Sequence, residues 1–257
     1  MGTLGPSVVW GLAVGFSLLA GALVAARFRL PERVAATLTA FGGGVLLAAV
    51  AVELVPDADE AAGRALTAIG LFAGTLIYVG ADAWLARRAS DHSEMRRALH
   101  ASAAGRSGDA EQMMRSESAR GVSIAVGLTI DGVPESIALG LTIAQDELGV
   151  ALLAGVLIGN VVESYGAAQP MIAGGRTPGF AIRLMGGIGL GLAFATVLGG
   201  TALADASPEL IGTAQAIAAG AVLAVVTIAV IPHAFAEVSR RTAVATVAGF
   251  VLGYLLS

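Results

Sequence analysis

The sequence predicts an all-α integral membrane protein with eight transmembrane helices, and three observations carry this prediction. Of the 257 residues, 56% are hydrophobic and only 13% are charged, whereas a soluble domain carries about 25% charged residues. Several apolar runs exceed the roughly 18 residues that mark a membrane-spanning helix. The 35 glycines suit helices that pack closely in lipid. The short alternating runs typical of a transmembrane β-barrel do not occur in the sequence.

Eight spans can be placed along a single transmembrane domain that covers residues 1–257. The first has no basic segment before its long apolar run, which favours a retained helix over a cleaved signal. The polar segment 89–118 is predicted to be a flexible cytoplasmic loop that could include a short amphipathic helix. The spans are predicted at residues 5–26, 34–56, 63–86, 121–144, 148–172, 180–203, 209–232 and 242–257.

The arginines predict the orientation of the chain in the membrane. Every arginine except Arg64 lies in an odd-numbered connection, between spans 1 and 2, 3 and 4, 5 and 6, or 7 and 8. By the positive-inside tendency these connections are cytoplasmic, so both termini are expected outside a cell (plasma) membrane. The even-numbered connections carry the acidic residues Asp57, Asp59, Glu60, Asp146, Glu147, Asp205 and Glu209.

Two internal repeats predict an inverted architecture of three, two and three spans. Phe41–Pro56 in span 2 resembles Ile217–Pro232 in span 7, each residue pairing with the one 176 positions later. Val133–Ser136 in span 4 resembles Val161–Ser164 in span 5, with an offset of 28. Spans 2 and 7 run in opposite directions, as do spans 4 and 5. Repeats of this kind commonly place a substrate site near the membrane midplane.

Acidic side chains in the middle of spans 4 and 5 are the candidate functional site. Asp131 and Glu135 are four residues apart, and Asn160 and Glu163 are three apart, so each pair shares one face of its helix. A charge near the bilayer centre costs roughly 3 kcal/mol on insertion scales, and a shared cation would offset that cost. Pro134 precedes Glu135 and removes a main-chain hydrogen bond, which can open a polar pocket.

Oxygen ligands of this kind suit a divalent cation such as Mn²⁺, Mg²⁺ or Fe²⁺, and Zn²⁺ also accepts carboxylate. Ser136 and Ser164 follow the two glutamates and could support the ligands through hydrogen bonds. Glu53 could attract cations at an outer mouth, and His233 with Glu237 could form an exit pair. The alternative for the central acids is that they are protonated, or that they join the helices through hydrogen bonds without binding metal.

The motifs of spans 4, 5 and 7 resemble those of the ZIP family of divalent-metal transporters, in particular its prokaryotic members. Asp131-Gly132-Val133-Pro134-Glu135-Ser136 looks like the family's span-4 motif of the type His-Asn-x-Pro-Glu-Gly. Gly159–Ser164 and Gly220–His233 look like its segments in spans 5 and 7. The resemblance covers the whole chain and implies eight spans, outward termini, a cytoplasmic loop between spans 3 and 4, and metal import by alternating access.

This sequence departs from the family pattern at several ligand positions. Asp131 replaces the span-4 His, Gly132 replaces the Asn, and Gly159 stands at the first ligand position of span 5. Leu192 stands where many members carry a span-6 glutamate, and the acidic pair near Ile228 and Ala229 is gone. We therefore expect one metal where the family often has two, held by Asp131, Glu135 and Glu163, with Asn160 as a further candidate.

The sequence thus predicts a transporter, with a divalent metal ion as its substrate and the lipid bilayer as its surroundings. No ATP-binding motif of the Walker type is present, so an ion gradient or the membrane potential would drive the import. The alternative is a transport-deficient homologue that acts as a metal sensor or scaffold. An intramembrane metallohydrolase is disfavoured because the sequence has no His-Glu-x-x-His motif, and no enzymatic activity or nucleic-acid partner is expected. The sequence leaves the oligomeric state, monomer or homodimer, open.

Overall fold

The computed structural model describes residues 3–101, 109–144, 150–202 and 206–257, and within them every regular element is a helix. The side chain of Asp131 lies outside the described part. The predicted all-α class is confirmed: seven helices are long and apolar enough to cross a membrane, and an apolar helix of 16 residues follows them. The chain is accordingly a multi-pass membrane protein.

Spans 2 and 7 are each interrupted by a single π-helical turn, which we call π1 and π2. Pro56 and Pro232 each follow such a turn, and a proline ring clashes with the carbonyl four residues earlier in a regular α-helix. Span 2 consists of Glu32–Ala49, π1 (Val50–Leu54) and Val55–Ala62, and span 7 of Pro208–Val225, π2 (Val226–Val230) and Ile231–Val238. Both spans therefore continue past the prolines at which the sequence predicts their ends.

The other spans are continuous α-helices. Spans 1, 3 and 4 are Leu4–Arg27, Arg64–Ala101 and Asp109–Ala144, and spans 5, 6 and 8 are Val150–Ala173, Pro178–Ala202 and Arg241–Leu256. Spans 3 and 4 extend into the segment 89–118 that was predicted to be a loop, so helix replaces loop over 89–101 and 109–118. Neither stretch contains glycine or proline, and both are rich in good helix formers. Residues 102–108 lie outside the described residues.

The helix packing follows the predicted inverted repeat. Span 2 packs on span 8 as span 7 packs on span 3, and span 1 packs on span 5 as span 6 packs on span 4. The 176-residue offset also relates π1 to π2, and it relates Gly63 after span 2 to Ser239 after span 7. Both of these turn residues have positive φ, 77° and 51°. The repeat in the sequence is therefore a repeat in the backbone.

Two helix crossings show the same relation at atomic detail. A Cβ at Gly44 of span 2 would collide with the main-chain carbonyl of Thr246 in span 8. At Gly220 of span 7 it would collide with the carbonyl of Leu71 in span 3. Gly44 and Gly220 are 176 residues apart. Glycine is required at both positions because the backbones touch there.

Candidate functional site

Spans 4 and 5 pack against each other and carry buried polar side chains at the candidate site. Glu135 is 5% exposed and Asn160 is 1% exposed, although both lie in the apolar interior of the bundle. Ser136, beside Glu135, is fully buried. A buried polar group costs free energy unless it has a partner, so this cluster calls for a structural or functional explanation.

Two polar atoms of this cluster have no hydrogen-bond partner among the described residues. They are the side-chain nitrogen Nδ2 of Asn160 and the hydroxyl Oγ of Ser136. Such orphaned atoms commonly mark a place that water or an ion occupies. The amide of Asn160 offers an oxygen as well as a nitrogen, and rotating the amide exchanges the two. The side chain of Asn160 can therefore present either an oxygen ligand or a hydrogen-bond donor.

Ser164 is engaged elsewhere. Its hydroxyl donates to the main-chain carbonyl of Leu18 in span 1 at 2.5 Å. The sequence predicts that this serine supports the metal ligands, but its hydroxyl hydrogen is donated to span 1. The bond joins span 5 to span 1 at the depth of the candidate site.

A cavity of about 370 Å³ extends from one end of the bundle to Glu163. We call that end the arginine end; it carries the connections between spans 1 and 2, 5 and 6, and 7 and 8, with Arg27, Arg29, Arg33, Arg176, Arg183, Arg240 and Arg241. We call the opposite end, which carries Asp57, Asp59, Glu60 and Glu209, the acidic end. Spans 2, 4, 5 and 7 all line the cavity.

The cavity lining is acidic despite its place at the arginine end. The four glutamates Glu32, Glu117, Glu163 and Glu237 line it, together with His233, and no arginine does among the lining residues. A recess with walls of one charge sign concentrates counter-ions, here cations. The structure therefore brings the predicted residues Glu163, His233 and Glu237 to one cavity.

Glu32 and Glu117 were missed from the sequence as members of this pathway. Glu32 opens span 2 directly after Pro31, and Glu117 lies in the segment that was predicted to be a loop. Glu117 reaches the cavity because span 4 begins at Asp109 and holds this residue on a helix. In the sequence both acids lie close to arginines, so a surface ion pair is the simpler expectation for each of them.

The candidate acidic ligands on spans 4 and 5 are Asp131, Glu135 and Glu163. Among the residues whose side chains are described, no three His, Cys, Asp or Glu residues group closely enough to hold one metal ion. Asp131, predicted as a ligand, lies on span 4 with its side chain outside the described part. Glu135 and Glu163 both make interactions with other groups. A set of three ligand residues therefore needs Asp131 or the amide of Asn160 beside the two glutamates.

An apolar side chain fills the space beside Gly132, close in sequence to the candidate ligands of span 4. Leu192 of span 6 is 1% exposed, and its Cδ1 atom would lie 2.5 Å from a Cβ placed on Gly132. No larger residue fits at position 132 without moving Leu192. By contrast, a Cβ at Gly159 would meet no atom within 4 Å. On the span-6 side, Leu192 occupies the space next to Gly132.

Glu53 does not stand free at a mouth, as the sequence predicts, but bonds to span 5. Its Oε1 accepts a hydrogen bond from the main-chain N–H of Ala151 at 3.1 Å, and its Oε2 accepts one from Leu152 at 3.2 Å. Both donors lie in the first turn of span 5, where N–H groups have no partner within the helix. Glu53 thus caps span 5 and joins it to span 2, and its attraction of cations stays a prediction.

Comparison with known proteins adds no family to this geometry: no protein-family model matches the chain, and no curated protein matches its sequence.

Proposed function

We propose that this chain is a ZIP-like transporter that imports a divalent metal ion, zinc or another first-row metal such as manganese or iron, across the plasma membrane. The observation that carries the proposal is the acid-lined cavity that ends at Glu163 in the middle of span 5. The buried polar residues Glu135, Ser136 and Asn160 lie on spans 4 and 5, which pack against each other. An acidic path to a desolvated oxygen-rich site is what a cation carrier needs in lipid.

The metal is the substrate of this site. Glu135 and Glu163 are the proposed main ligands, Asp131 sets the preference for hard metals, and the Asn160 amide can supply a neutral oxygen. The orphaned Asn160 Nδ2 and Ser136 Oγ atoms support a hydrated ion here, because its water molecules would give both atoms partners.

The positive-inside tendency places the arginine end in the cytoplasm. The cavity then opens inward, and the acidic end faces outside the cell. In this proposal the structure corresponds to an inward-facing state. Rocking of spans 4 and 5 with their bundle against the remaining helices would expose the same site to the other side.

The test is a metal-flux assay in reconstituted vesicles. Glu135→Gln and Glu163→Gln each remove a charged ligand while keeping side-chain size, and we expect flux to fall about a hundredfold or more. Glu60→Gln is the matched control, since Glu60 is exposed at the acidic end and should leave flux unchanged. Flux that survives both central substitutions would refute the proposal.

The same assay identifies the metal preference. Flux of Zn²⁺, Mn²⁺, Fe²⁺, Co²⁺ and Cd²⁺ should be compared between the parent chain and Asp131→His. An imidazole favours zinc more than a carboxylate does, so we expect relative zinc flux to rise in the variant. An unchanged order of metals would remove Asp131 from the ligand set.

A transport-deficient homologue that binds metal as a sensor or scaffold is the second candidate, and the packing around Gly132 favours it. Leu192 fills the space beside this glycine, so an apolar side chain stands at the span-6 position where many ZIP members carry a glutamate. Stoichiometric metal binding without flux under any gradient would select this candidate over the transporter.

A further inference from the structure

The cap that Glu53 places on span 5 is the polar contact from which a further inference follows. Its carboxylate receives two main-chain N–H groups at once, and hydrogen bonds to an ionised acceptor are roughly twice as strong as neutral ones. The negative charge also lies at the positive end of the helix dipole. Leu54, Ala151 and Leu152 around it are fully buried. These hydrogen bonds therefore join span 2 to span 5 at the acidic end.

The inverted repeat shows where the corresponding contact would be at the arginine end. The offset of 176 relates Glu53 to Ala229, and the offset of 28 relates Ala151 and Leu152 to Ser123 and Ile124. The side chain of Ala229 has no hydrogen-bond acceptor. Span 4 begins at Asp109, so positions 123 and 124 lie inside a helix where N–H groups bond four residues back. The arginine end lacks both halves of the contact.

The cavity lies at the arginine end, where the contact corresponding to the Glu53 cap would be. Both Ala229 and Ile124 line it, so the cavity lies at the end where the corresponding cap is missing. The two halves have the same backbone arrangement around the π turns. At this contact they differ in the side chain, Glu53 against Ala229, and in whether free N–H groups lie opposite. This correlation within one molecule ties the Glu53 contact to the state of the transporter.

We propose that the Glu53 carboxylate is the latch of the acidic end: it holds spans 2 and 5 together in the inward-facing state and must release span 5 before the site opens outward. Glu53 is thereby a positioning residue that sets the balance between the two states. The proposal rests on the transport function proposed above. It differs from a merely structural cap because breaking the latch should close the arginine end while it opens the acidic end.

Thiol labelling of purified protein in detergent, without metal, measures both ends. The chain contains no cysteine, so a single introduced cysteine is the only thiol. Val156→Cys reports on the acidic half, because Val156 is 1% exposed and packs in one cluster with Leu46 and Val50 of span 2. Gly166→Cys reports on the cavity, which Gly166 lines and where an added Cβ meets no atom within 4 Å.

Each reporter is labelled with a maleimide in the parent chain and in Glu53→Ala. We expect the labelling rate of Val156→Cys to rise about tenfold or more, because loss of even one charge-assisted hydrogen bond implies a tenfold change and alanine removes two, and we expect the labelling rate of Gly166→Cys to fall. Glu53→Gln keeps one acceptor oxygen and should give a smaller shift in the same directions. Asp59→Asn is the control, because Asp59 pairs with Arg64 at the same end at 3.7 Å and should change neither rate.

Two results would overturn the latch. One is an unchanged rate at Val156→Cys in both Glu53 variants. The other is a rise at both reporters, which marks a loosened fold and reduces Glu53 to a structural cap. The transport proposal fails separately: if flux ignores Glu135 and Glu163 while the reporters shift reciprocally, transport is refuted and the latch remains. If flux depends on them and the reporters do not shift, the latch alone is refuted.

Discussion

The π-helical turns π1 and π2 have the same backbone and different chemistry. Each precedes a proline that a regular helix would not accommodate, and each is followed by a short α-helix that ends at a positive φ. π1 carries Glu53, which binds the start of span 5, whereas π2 carries Ala229, which lines a cavity. The two halves are therefore equivalent in their backbones at these turns, and their side chains make different contacts.

The largest effect we predict tests whether the two halves are equivalent in their backbones. Gly44→Leu and Gly220→Leu should each lower the free energy of unfolding by about 3 kcal/mol or more, because the new side chain meets a main-chain carbonyl that cannot move aside. Thermal unfolding in detergent measures both. Gly187→Leu is the control, since a Cβ there meets no atom within 4 Å. A large loss in one variant without the other would break the equivalence.

The sequence predicts the equivalence of the halves because this equivalence depends on residue types that constrain the backbone. Glycines at crossings and prolines after the π turns recur at one offset, and these types constrain backbone geometry wherever they occur. The eight spans followed from hydropathy alone. Their ends did not, because Pro56 and Pro232 look like terminators and a π turn absorbs each of them.

The candidate site was less predictable, since it depends on where side chains point. Glu163 and His233 were expected at a site or pathway and do line one cavity, but Glu32 and Glu117 were not foreseen. The sequence predicts Glu53 at an outer mouth, whereas in the structure Glu53 caps span 5. A pattern within one helix gives the face of a residue, whereas a contact to another helix requires knowing which helix lies opposite.

A smaller effect is predicted at the turns that end the two π-containing spans. Ser239 has φ of 51° and ψ of −128°, a region that disfavours any residue with a Cβ, and its equivalent Gly63 has φ of 77°. Ser239→Gly should therefore raise the free energy of unfolding by about 1 kcal/mol, and Gly63→Ser should lower it by a similar amount. Thermal unfolding of the pair checks both signs. A loss of stability in Ser239→Gly would show that the strain at this turn is absent.

The smallest effect comes from restoring the acid that π2 lacks. Ala229→Glu places a carboxylate where Glu53 stands in the other half, yet the N–H groups of positions 123 and 124 are already bonded within span 4. A latch needs a free donor as well as an acceptor, so we expect labelling of Gly166→Cys to change by no more than about twofold. A tenfold fall would mean that the acid alone closes the arginine end. The start of span 5 would then matter less than the charge of Glu53, and the difference between the two ends would come down to one residue.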